Sequence, residues 1–299
     1  MFGQYYLQDL GTDIMIHILY NPKANNNQGL SAAQALADRY GLRVGMTDIT
    51  KITDFKTFFA NLSADDEFII CGGDGTLNHF ANDTQGLSLP EHLSFCGTGT
   101  GNDLLRDIGR GADGEPVPIG KYIERLPVVT VNGRDYRFIN GVGFGIDGYC
   151  CEVGDKMRET TDKPINYAGI AVKGVLFHFK PRNATVTVDG VTKTYQKVWI
   201  APTMNGRFYG GGMMAAPAQD RLKNETVSTV LMYGKGRLKT LAVFPSIFKG
   251  EHVKHTEMVE VLTGRDVTVA FDRPTALQID GETFLGVTEY RVRSWRNQG

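Results

Sequence analysis

The chain has 299 residues and an almost balanced charge, with 32 Lys and Arg against 33 Asp and Glu and a formal net charge of -1. Hydrophobic residues make up 41% of the sequence and charged residues 22%, which is enough for a packed core and excludes a largely disordered chain. The lack of a basic surplus argues against a general nucleic-acid-binding protein, because phosphate contacts need an excess of Lys and Arg. The length fits one large domain or two of medium size.

The sequence contains no segment that we expect to cross a membrane. A spanning helix needs roughly 20 consecutive apolar residues, and the nearest stretch, residues 169–179, is short and carries Lys173 and His178. We interpret the first twelve residues as a loose extension, since they lack the pattern of a secretory signal. The four cysteines show no zinc spacing and are expected to be reduced in a cytoplasmic protein. These cysteines are Cys71, Cys96, Cys150 and Cys151.

In the first part of the chain, short apolar runs alternate with helix-like patterns. A helix after each buried strand is typical of a parallel sheet with helices on both faces. The predicted strands are 14–20, 42–47, 67–71 and 93–96. The predicted helices are 30–40, one around 55–62 capped by Thr53 or Asp54, one that contains 77–81, and one that contains 104–108.

Beyond residue 127 the pattern changes to apolar runs joined by tight turns. An Asn-Gly pair at 132–133 and an Asp-Gly pair at 189–190 favour hairpins. The predicted strands are 128–131, 136–139, 184–188, 191–195, 198–202, 227–232, 258–262, 267–271 and 277–279, with one helix near 238–249. We therefore predict an α/β protein with a parallel-sheet domain at 13–125 and a β-rich, antiparallel, sandwich-like domain at 126–299. Whether the last strand rejoins the first domain stays open.

Two glycine-rich loops follow neighbouring strands of the predicted parallel sheet. Residues 72–76 read Gly-Gly-Asp-Gly-Thr, and residues 97–103 read Gly-Thr-Gly-Thr-Gly-Asn-Asp. Ligands bind beyond the carboxyl ends of such strands, where backbone N–H groups and helix N-termini attract anions. A carboxylate inside the first loop would repel a polyphosphate unless a divalent cation lies between them. Asp74 is therefore a candidate magnesium ligand, directly or through water, and the alternative is a turn in which Asp74 caps the next helix.

Three further polar residues are candidates for chemistry or for local structure. The Asn102 amide is suited to hydrogen-bond a phosphate or ribose, and Asp103 is expected to cap the helix that follows, with ligand contact as an open possibility. Near the C-terminus, residues 278–282 (Gln-Ile-Asp-Gly-Glu) place Asp280 and Glu282 at the end of an apolar strand. A carboxylate there can accept a proton from a substrate hydroxyl, although an Asp-Gly pair alone is typical of a hairpin turn.

In combination, these motifs resemble the bacterial diacylglycerol kinase-like lipid kinases, which are related to sphingosine kinases and more distantly to NAD kinases. The resemblance rests on GGDGTLN at 72–78, GTGNDL at 99–104 and DGE at 280–282, in that order, with Asn21-Pro22 before them. It runs from about residue 14 to the C-terminus. It implies phosphorylation by ATP of the free hydroxyl of diacylglycerol or a similar lipid, in a cleft between the two domains. The second glycine loop distinguishes the chain from NAD kinases.

The resemblance also implies roles for individual residues and the cofactors ATP and magnesium. Glu282, with Asp280 beside it, would be the general base, and Asp74 would engage magnesium-ATP. This makes Asp74, Asp280 and Glu282 the implied catalytic residues. The implied nucleotide-binding residues lie after the first and second strands and in the two glycine loops: Asn21, Pro22, Lys23, Thr47, Gly72, Gly73, Asp74, Gly75, Thr76, Leu77, Asn78, Gly99, Thr100, Gly101, Asn102 and Asp103.

Two stretches depart from the family's pattern. The loop at 23–29 lacks the usual Ser-Gly pair, which leaves Lys23 to supply a cation. The loop at 220–225 corresponds to a structural magnesium site of the family, but Lys223 would repel a cation there, which argues against its retention. Two alternative functions therefore remain open: a kinase of a soluble hydroxyl substrate, as in NAD kinases, and a non-catalytic nucleotide-binding sensor.

A lipid substrate implies peripheral contact with a membrane, at its inner face for a cytoplasmic protein. Basic residues around the helix predicted near 238–249 are candidates for binding anionic head groups, with a solvated face as the alternative. These residues are Lys235, Arg237, Lys239, Lys249, Lys254 and His255. We predict neither a nucleic-acid partner nor a transmembrane segment. The sequence leaves open whether the chain forms a homodimer and which lipid it uses.

Overall fold

A computed structural model of the chain describes residues 14–41, 43–98, 102–110, 114–160 and 165–297. The first part contains a five-stranded sheet with the order β2-β1-β3-β4-β5, in which β1 to β4 are parallel and β5 is antiparallel. This confirms the predicted parallel sheet. Its strands are β1 (Ile16–Tyr20), β2 (Val44–Asp48), β3 (Glu67–Gly72), β4 (His92–Gly97) and β5 (Val117–Pro118).

Helices follow each of the first four strands. They are α1 (Ala24–Asn27), α2 (Gly29–Tyr40), α3 (Phe55–Ala60), α4 (Asp74–Asp83), α5 (Asp103–Asp107) and α6 (Gly120–Ile123), with a 3₁₀ turn at Ile49–Lys51. Asp54 caps α3, as predicted, because its carboxylate accepts the N–H groups of Lys56 and Thr57. In α4, Leu77 and Phe80 are fully buried against the sheet, so the apolar face of this helix fixes the direction of the loop that precedes it.

The second part is a ten-stranded sheet with antiparallel pairing, which confirms the predicted β-rich domain. The strand order is β15-β14-β11-β8-β16-β17-β6-β7, with β9 on β16 and β10 on β9. The strands are β6 (Val128–Val131), β7 (Arg134–Arg137), β8 (Gly141–Gly145), β9 (Arg182–Val188), β10 (Val191–Val198), β11 (Ile200–Met204), β14 (Val227–Met232), β15 (Val259–Gly264), β16 (Asp266–Ile279) and β17 (Glu282–Arg293). A separate short hairpin joins β12 (Phe208–Tyr209) and β13 (Met213–Met214).

Two strands of this sheet, β8 and β17, were not among those predicted from the sequence, and a third strand differs from the prediction in its extent. Residues 267–271 and 277–279 belong to one strand, β16, which is irregular between Ala270 and Leu277. The first half of β16 pairs with β9 and its second half with β8. This strand therefore connects the β9 and β8 regions of the sheet. The last strand, β17, pairs with β16 and β6 and therefore lies in the second sheet.

The helix predicted near 238–249 is present, but the expectation that it is the one helix of the second part was wrong, because two further helices occur there. They are α7 (Ile146–Arg158) and α8 (Tyr167–Lys173), which continues as a π-helical turn at Gly174–His178. The predicted helix is α9 (Arg237–Val243), followed by 3₁₀ turns at Phe244–Lys249 and Glu251–Lys254, and a last 3₁₀ turn is Trp295–Asn297. Glycines weaken the helical pattern of α7, but a Cβ on Gly148 would lie 2.2 Å from the Ala276 carbonyl oxygen. Close packing on β16 therefore requires this glycine.

Within the described residues, no helix has both the length and the apolar composition that a membrane span requires.

Candidate active site

A cavity of about 670 Å³ is lined by residues from both parts of the molecule. Asp74 and Asp103 come from the first part, at the carboxyl edge of its parallel sheet. The polar residues that the second part adds are Asn140, Asp147, Gln278 and Asp280. Much of the remaining wall is apolar and includes Ile146, Ile165, Val172, Met213, Phe244 and Phe248. The cavity therefore joins a carboxylate-rich region to a surface that can accommodate a hydrocarbon chain.

The first glycine loop connects β3 to α4. Gly72 ends β3, Gly73 precedes the helix in extended backbone, and Asp74 is the first helical residue. A side chain on Gly72 would clash with Thr76, since its Cβ would lie 2.6 Å from the Thr76 Cβ. This close approach explains why a glycine occupies the end of a buried strand at this position.

The segment after β1 lies beside this loop. The Asn21 side-chain amide donates to the Thr76 hydroxyl at 3.1 Å, and the Lys23 N–H donates to Asn21 Oδ1 at 3.0 Å. Thr47 pairs in register with Leu19, near the carboxyl ends of β2 and β1. The predicted nucleotide-binding residues of the first two strands and the first loop thus share one edge of the sheet.

Asp74 joins the two glycine loops. Its carboxylate accepts the N–H of Asp103 at 2.7 Å and the N–H of Leu104 at 3.3 Å, so Asp74 caps α5. The prediction that Asp103 caps this helix was wrong, because the Asp103 carboxylate instead accepts the Gly211 N–H at 2.8 Å. The alternative that Asp74 caps its own helix was wrong as well. Asn102 is buried in left-handed backbone, with φ of 38°.

Two acidic side chains meet at this point with little compensating charge. Burial, and after it the negative charge of Asp74, raises the pKa of Asp103 to about 7. Arg106 pairs with Asp103 at 3.2 Å but is 43% exposed. A cation bound here would relieve this repulsion. Gly99, Thr100 and Gly101, which were also predicted to bind nucleotide, lie outside the described residues.

Asp280 connects α4 to the second part. Its carboxylate accepts the N–H groups of Ile139, Asn140 (2.8 Å) and Gly141 (2.9 Å), and the side-chain amide of Asn78 (2.8 Å). Burial raises the pKa of Asp280 against the opposing effect of these donors. The Asp280 backbone also forms the turn between β16 and β17, with φ of 45°. Four donors occupy this carboxylate, which makes it suited to positioning rather than to proton transfer.

Glu282 lies two residues after Asp280 and is about half exposed. Its carboxylate lies 3.5 Å from the Nε2 atom of His79, and this histidine lowers the pKa of Glu282. His79 stands five residues after Asp74 in α4, which corresponds to roughly 7.5 Å along the helix. The structure therefore places Glu282 beside α4, the helix that begins at Asp74, but Glu282 is not among the residues that line the cavity. His79 was not among the residues predicted from the sequence. The available signal was its position in the predicted helix, about one and a half turns after the first glycine loop.

A buried arginine holds the first part against the second. The Arg221 guanidinium is 4% exposed and donates to Asp107 Oδ2 at 2.5 Å, to the Ile139 carbonyl at 3.0 Å and to Asn140 Oδ1 at 3.1 Å. Arg207 donates to the other Asp107 oxygen at 2.8 Å. Sequence reasoning missed this cluster, because Arg221 and Asp107 are 114 residues apart and no local pattern marks the pairing.

Arg221 lies in the loop that the resemblance associates with structural magnesium. Asp220 accepts the N–H groups of Leu222 and Lys223, each at 3.1 Å, and lies 3.5 Å from the Lys223 ammonium. In the described parts of the chain, no group of three or more His, Cys, Asp or Glu side chains is placed to hold a metal ion. Donors within this loop therefore satisfy the hydrogen-bonding capacity of the Asp220 carboxylate.

The basic residues near α9 are partly neutralised. Lys239 and His255 lie 3.2 and 3.7 Å from Glu257, and Lys254 pairs with Glu251 at 3.1 Å. Large apolar side chains are exposed near this helix, namely Val172, Phe177, Leu238 and Phe248. Val172 and Phe248 line the cavity, and α9 contacts the π-helical turn that carries Phe177. The cavity is therefore continuous with an exposed apolar surface.

A glycine loop with an embedded acid therefore lies at the edge of the parallel sheet and faces the second part of the molecule across the cavity. Two family models cover most of the chain. The diacylglycerol kinase catalytic domain matches residues 15–126, and the YegS C-terminal NAD kinase beta sandwich-like domain matches residues 140–293. The chain belongs to the diacylglycerol kinase-like lipid kinase family, which confirms the resemblance drawn from the motifs.

Individual relatives are similar to this chain in sequence or in fold. The chain is 27% identical over 219 residues to a diacylglycerol kinase of Mycobacterium tuberculosis, covering 70% of this chain and 67% of the relative. A crystal structure titled as a diacylglycerol kinase from Bacillus anthracis has the same fold, with a TM-score of 0.62 and 18% identity over 96% of each chain. Family membership assigns the chain to kinases of the lipid kinase type.

Proposed function

We propose that the chain transfers a phosphoryl group from ATP to the free hydroxyl of diacylglycerol or a similar lipid, with magnesium as the cation. The observation that carries the proposal is the cavity itself, which joins the carboxylates Asp74 and Asp103 to a wall of apolar side chains. Phosphoryl transfer depends mainly on positioning and charge neutralisation, and an apolar wall is what a lipid acceptor needs to leave the bilayer.

The nucleotide side of the proposed site is built from backbone. The first N–H groups of a helix and the positive end of its dipole favour a bound phosphate, and the N-terminus of α4 lies at the first loop. Asp74 and Asp103 fit a magnesium ion, because burial and the neighbouring Asp74 carboxylate raise the pKa of Asp103, so that positive charge is favoured between the two carboxylates. When bound, the ion would neutralise phosphate charge, with Asp74 holding it directly or through water.

The acceptor side would use Glu282 as general base. Its pKa is lowered by His79, so it is ionised and able to accept a proton near neutral pH. Asp280 acts as a positioning residue in this scheme, since its hydrogen bonds to 139–141 and to Asn78 hold the β16–β17 turn against α4. The turn thereby fixes Glu282 beside the helix that carries Asp74.

Transfer of labelled phosphate tests the proposal. The chain is incubated with γ-labelled ATP, magnesium, NAD and dioleoylglycerol or extracted lipids in detergent micelles, and the products are partitioned between water and organic solvent. We expect label in the organic phase that depends on lipid. Label only in a water-soluble product such as phosphorylated NAD would favour the soluble-substrate alternative, and ATP binding with no transfer would favour the sensor.

The magnesium part of the proposal predicts a metal-dependent defect in the Asp74→Asn variant. We expect half-maximal activity to need about 10–100-fold more magnesium, the usual effect of removing a residue that holds or orients a metal-bound group. The rise in melting temperature on adding magnesium with ATP should also shrink. Asp83→Asn, at the exposed end of the same helix, is the matched control. An unchanged magnesium requirement in Asp74→Asn would contradict the role.

The lipid part of the proposal predicts peripheral binding at the inner face of a membrane, through the exposed apolar side chains of α9 and the π-helical turn. Phe177 and Leu238 are 70% and 80% exposed, and burying such a side chain contributes about 1.5–3 kcal/mol. Replacing both by Ser should reduce binding to vesicles of phosphatidylcholine and phosphatidylglycerol by at least about 10-fold. Val191→Ser, at a position 67% exposed in the β9–β10 hairpin, is the control. If the double Ser variant at Phe177 and Leu238 partitions into vesicles as much as Val191→Ser does, this surface is excluded as the membrane contact.

A further inference from the structure

Two buried polar side chains of the cavity have unused hydrogen-bonding capacity. Asp147, the second residue of α7, is 6% exposed, and among the described residues neither of its carboxylate oxygens has a hydrogen-bond partner. Gln278 on β16 is 4% exposed and accepts the Gly281 N–H at 3.0 Å through Oε1. Its Nε2 atom has no partner within the described part of the chain. Both residues line the cavity.

An unpaired buried carboxylate is rare in folded proteins, because its desolvation is unfavourable. Burial raises the pKa of Asp147 to about 7, although the N–H groups at the start of α7 and the Gln278 amide favour its charged form. The chain also keeps space for this group, since a Cβ on Gly143 would lie 2.8 Å from Asp147 Oδ2. The N–H groups at the start of α7 and the Gln278 amide therefore lie near this carboxylate, but none of them makes a hydrogen bond to it, which is typical of a ligand-binding position.

We propose that Asp147 and Gln278 bind the head group of the lipid acceptor and select a lipid with a second hydrogen-bond donor beside the hydroxyl that is phosphorylated. The inference rests on the lipid kinase function proposed above. A carboxylate accepts hydrogen bonds and an amide nitrogen donates them, so the lipid offers a donor to Asp147 and an acceptor oxygen to Gln278.

The reacting hydroxyl does not supply the donor for Asp147, because its proton goes to Glu282. A monoacylglycerol has two hydroxyls and an ester carbonyl and meets both requirements, whereas a diacylglycerol has a single hydroxyl. Tyr209 also lines the cavity, and its hydroxyl has no hydrogen-bond partner among the described residues, which makes it a candidate third contact for the same head group. The apolar side chains of Ile146 and Phe244 continue the wall for an acyl chain.

The test compares kcat/KM for monooleoylglycerol and dioleoylglycerol in the same detergent micelles. We expect the wild-type chain to favour monooleoylglycerol by at least about 10-fold, because a buried site left unpaired by the second lipid discriminates against it. Asp147→Leu should reduce this ratio to about 1 and leave the KM for ATP unchanged. Its melting temperature should rise, since an apolar side chain of similar size replaces an unpaired buried carboxylate. Asp147→Asn, which keeps one acceptor oxygen, should retain part of the preference.

Glu152→Gln provides the matched control, because Glu152 lies on the same helix and pairs with Lys156 at 2.7 Å. This variant should keep the wild-type ratio. A wild-type preference for dioleoylglycerol, or the same ratio in Asp147→Leu as in wild type, would overturn the inference and leave the lipid kinase function standing. The absence of phosphate transfer to either lipid would overturn the proposed function and this inference with it.

Discussion

Replacing Glu282 with Gln is expected to lower kcat by roughly 10²–10⁴-fold, the usual contribution of a general base. The amide keeps the shape of the side chain but cannot accept the proton of a lipid hydroxyl. ATP affinity should change little, because Glu282 belongs to the β16–β17 turn and the nucleotide is proposed to bind at the opposite loops. Steady-state kinetics with ATP and lipid varied separately would measure both effects.

The control for this experiment is Glu289→Gln, an exposed glutamate on the same strand, which should leave kcat unchanged. A pH profile adds a second readout. His79 lowers the pKa of Glu282, so activity should be present above this pKa and be lost as the pH falls through it. His79→Gln should move this acidic limb to higher pH. Equal losses of kcat and of ATP affinity in Glu282→Gln would indicate a structural role instead.

Replacing Arg221 with Met should lower the free energy of unfolding by about 3–5 kcal/mol, the range for removing one member of a buried ion pair. The Asp107 carboxylate would keep Arg207 but lose its buried partner, and the Ile139 carbonyl and the Asn140 side chain would lose donors. Urea unfolding would measure the change, as a lower midpoint at constant slope.

A comparison with an exposed pair separates burial from charge. Arg265 pairs with Glu225 at 3.0 Å and its side chain is 55% exposed, so Arg265→Met should change stability by no more than about 1 kcal/mol. The double variant Asp107→Leu with Arg221→Met should recover part of the loss, because the unpaired charge is removed. A loss below about 1 kcal/mol in Arg221→Met would show that the cluster does not hold the two parts together.

Local patterns predicted much of the fold. The run Val227–Met232 forms a strand with the predicted bounds, because six consecutive buried residues between polar segments leave few other possibilities. Asp54 caps α3 and the turns at 132–133 and 189–190 join hairpins, since cap and turn chemistry acts within four residues.

Features that depend on distant contacts were not predicted. Helix α7 was missed because Gly148, which weakens the helical pattern, serves a contact with Ala276 more than 100 residues away. The roles of Asp74 and Asp103 at the start of α5 were misassigned for the same reason. Which carboxylate caps this helix depends on how the β3–α4 loop lies against the β4–α5 loop, and sequence spacing does not contain that distance.

The parallel sheet, the antiparallel character of the second domain and the kinase motifs follow from the amino-acid sequence alone, because each is carried by residues close together in the chain. Only the tertiary structure shows that Glu282 lies beside His79 and that Arg221 and Asp107 form a buried pair. It also shows that Asp147 lies unsatisfied beside Gln278. These arrangements join residues that are far apart in sequence, and burial determines their charge, their hydrogen bonding and their chemistry.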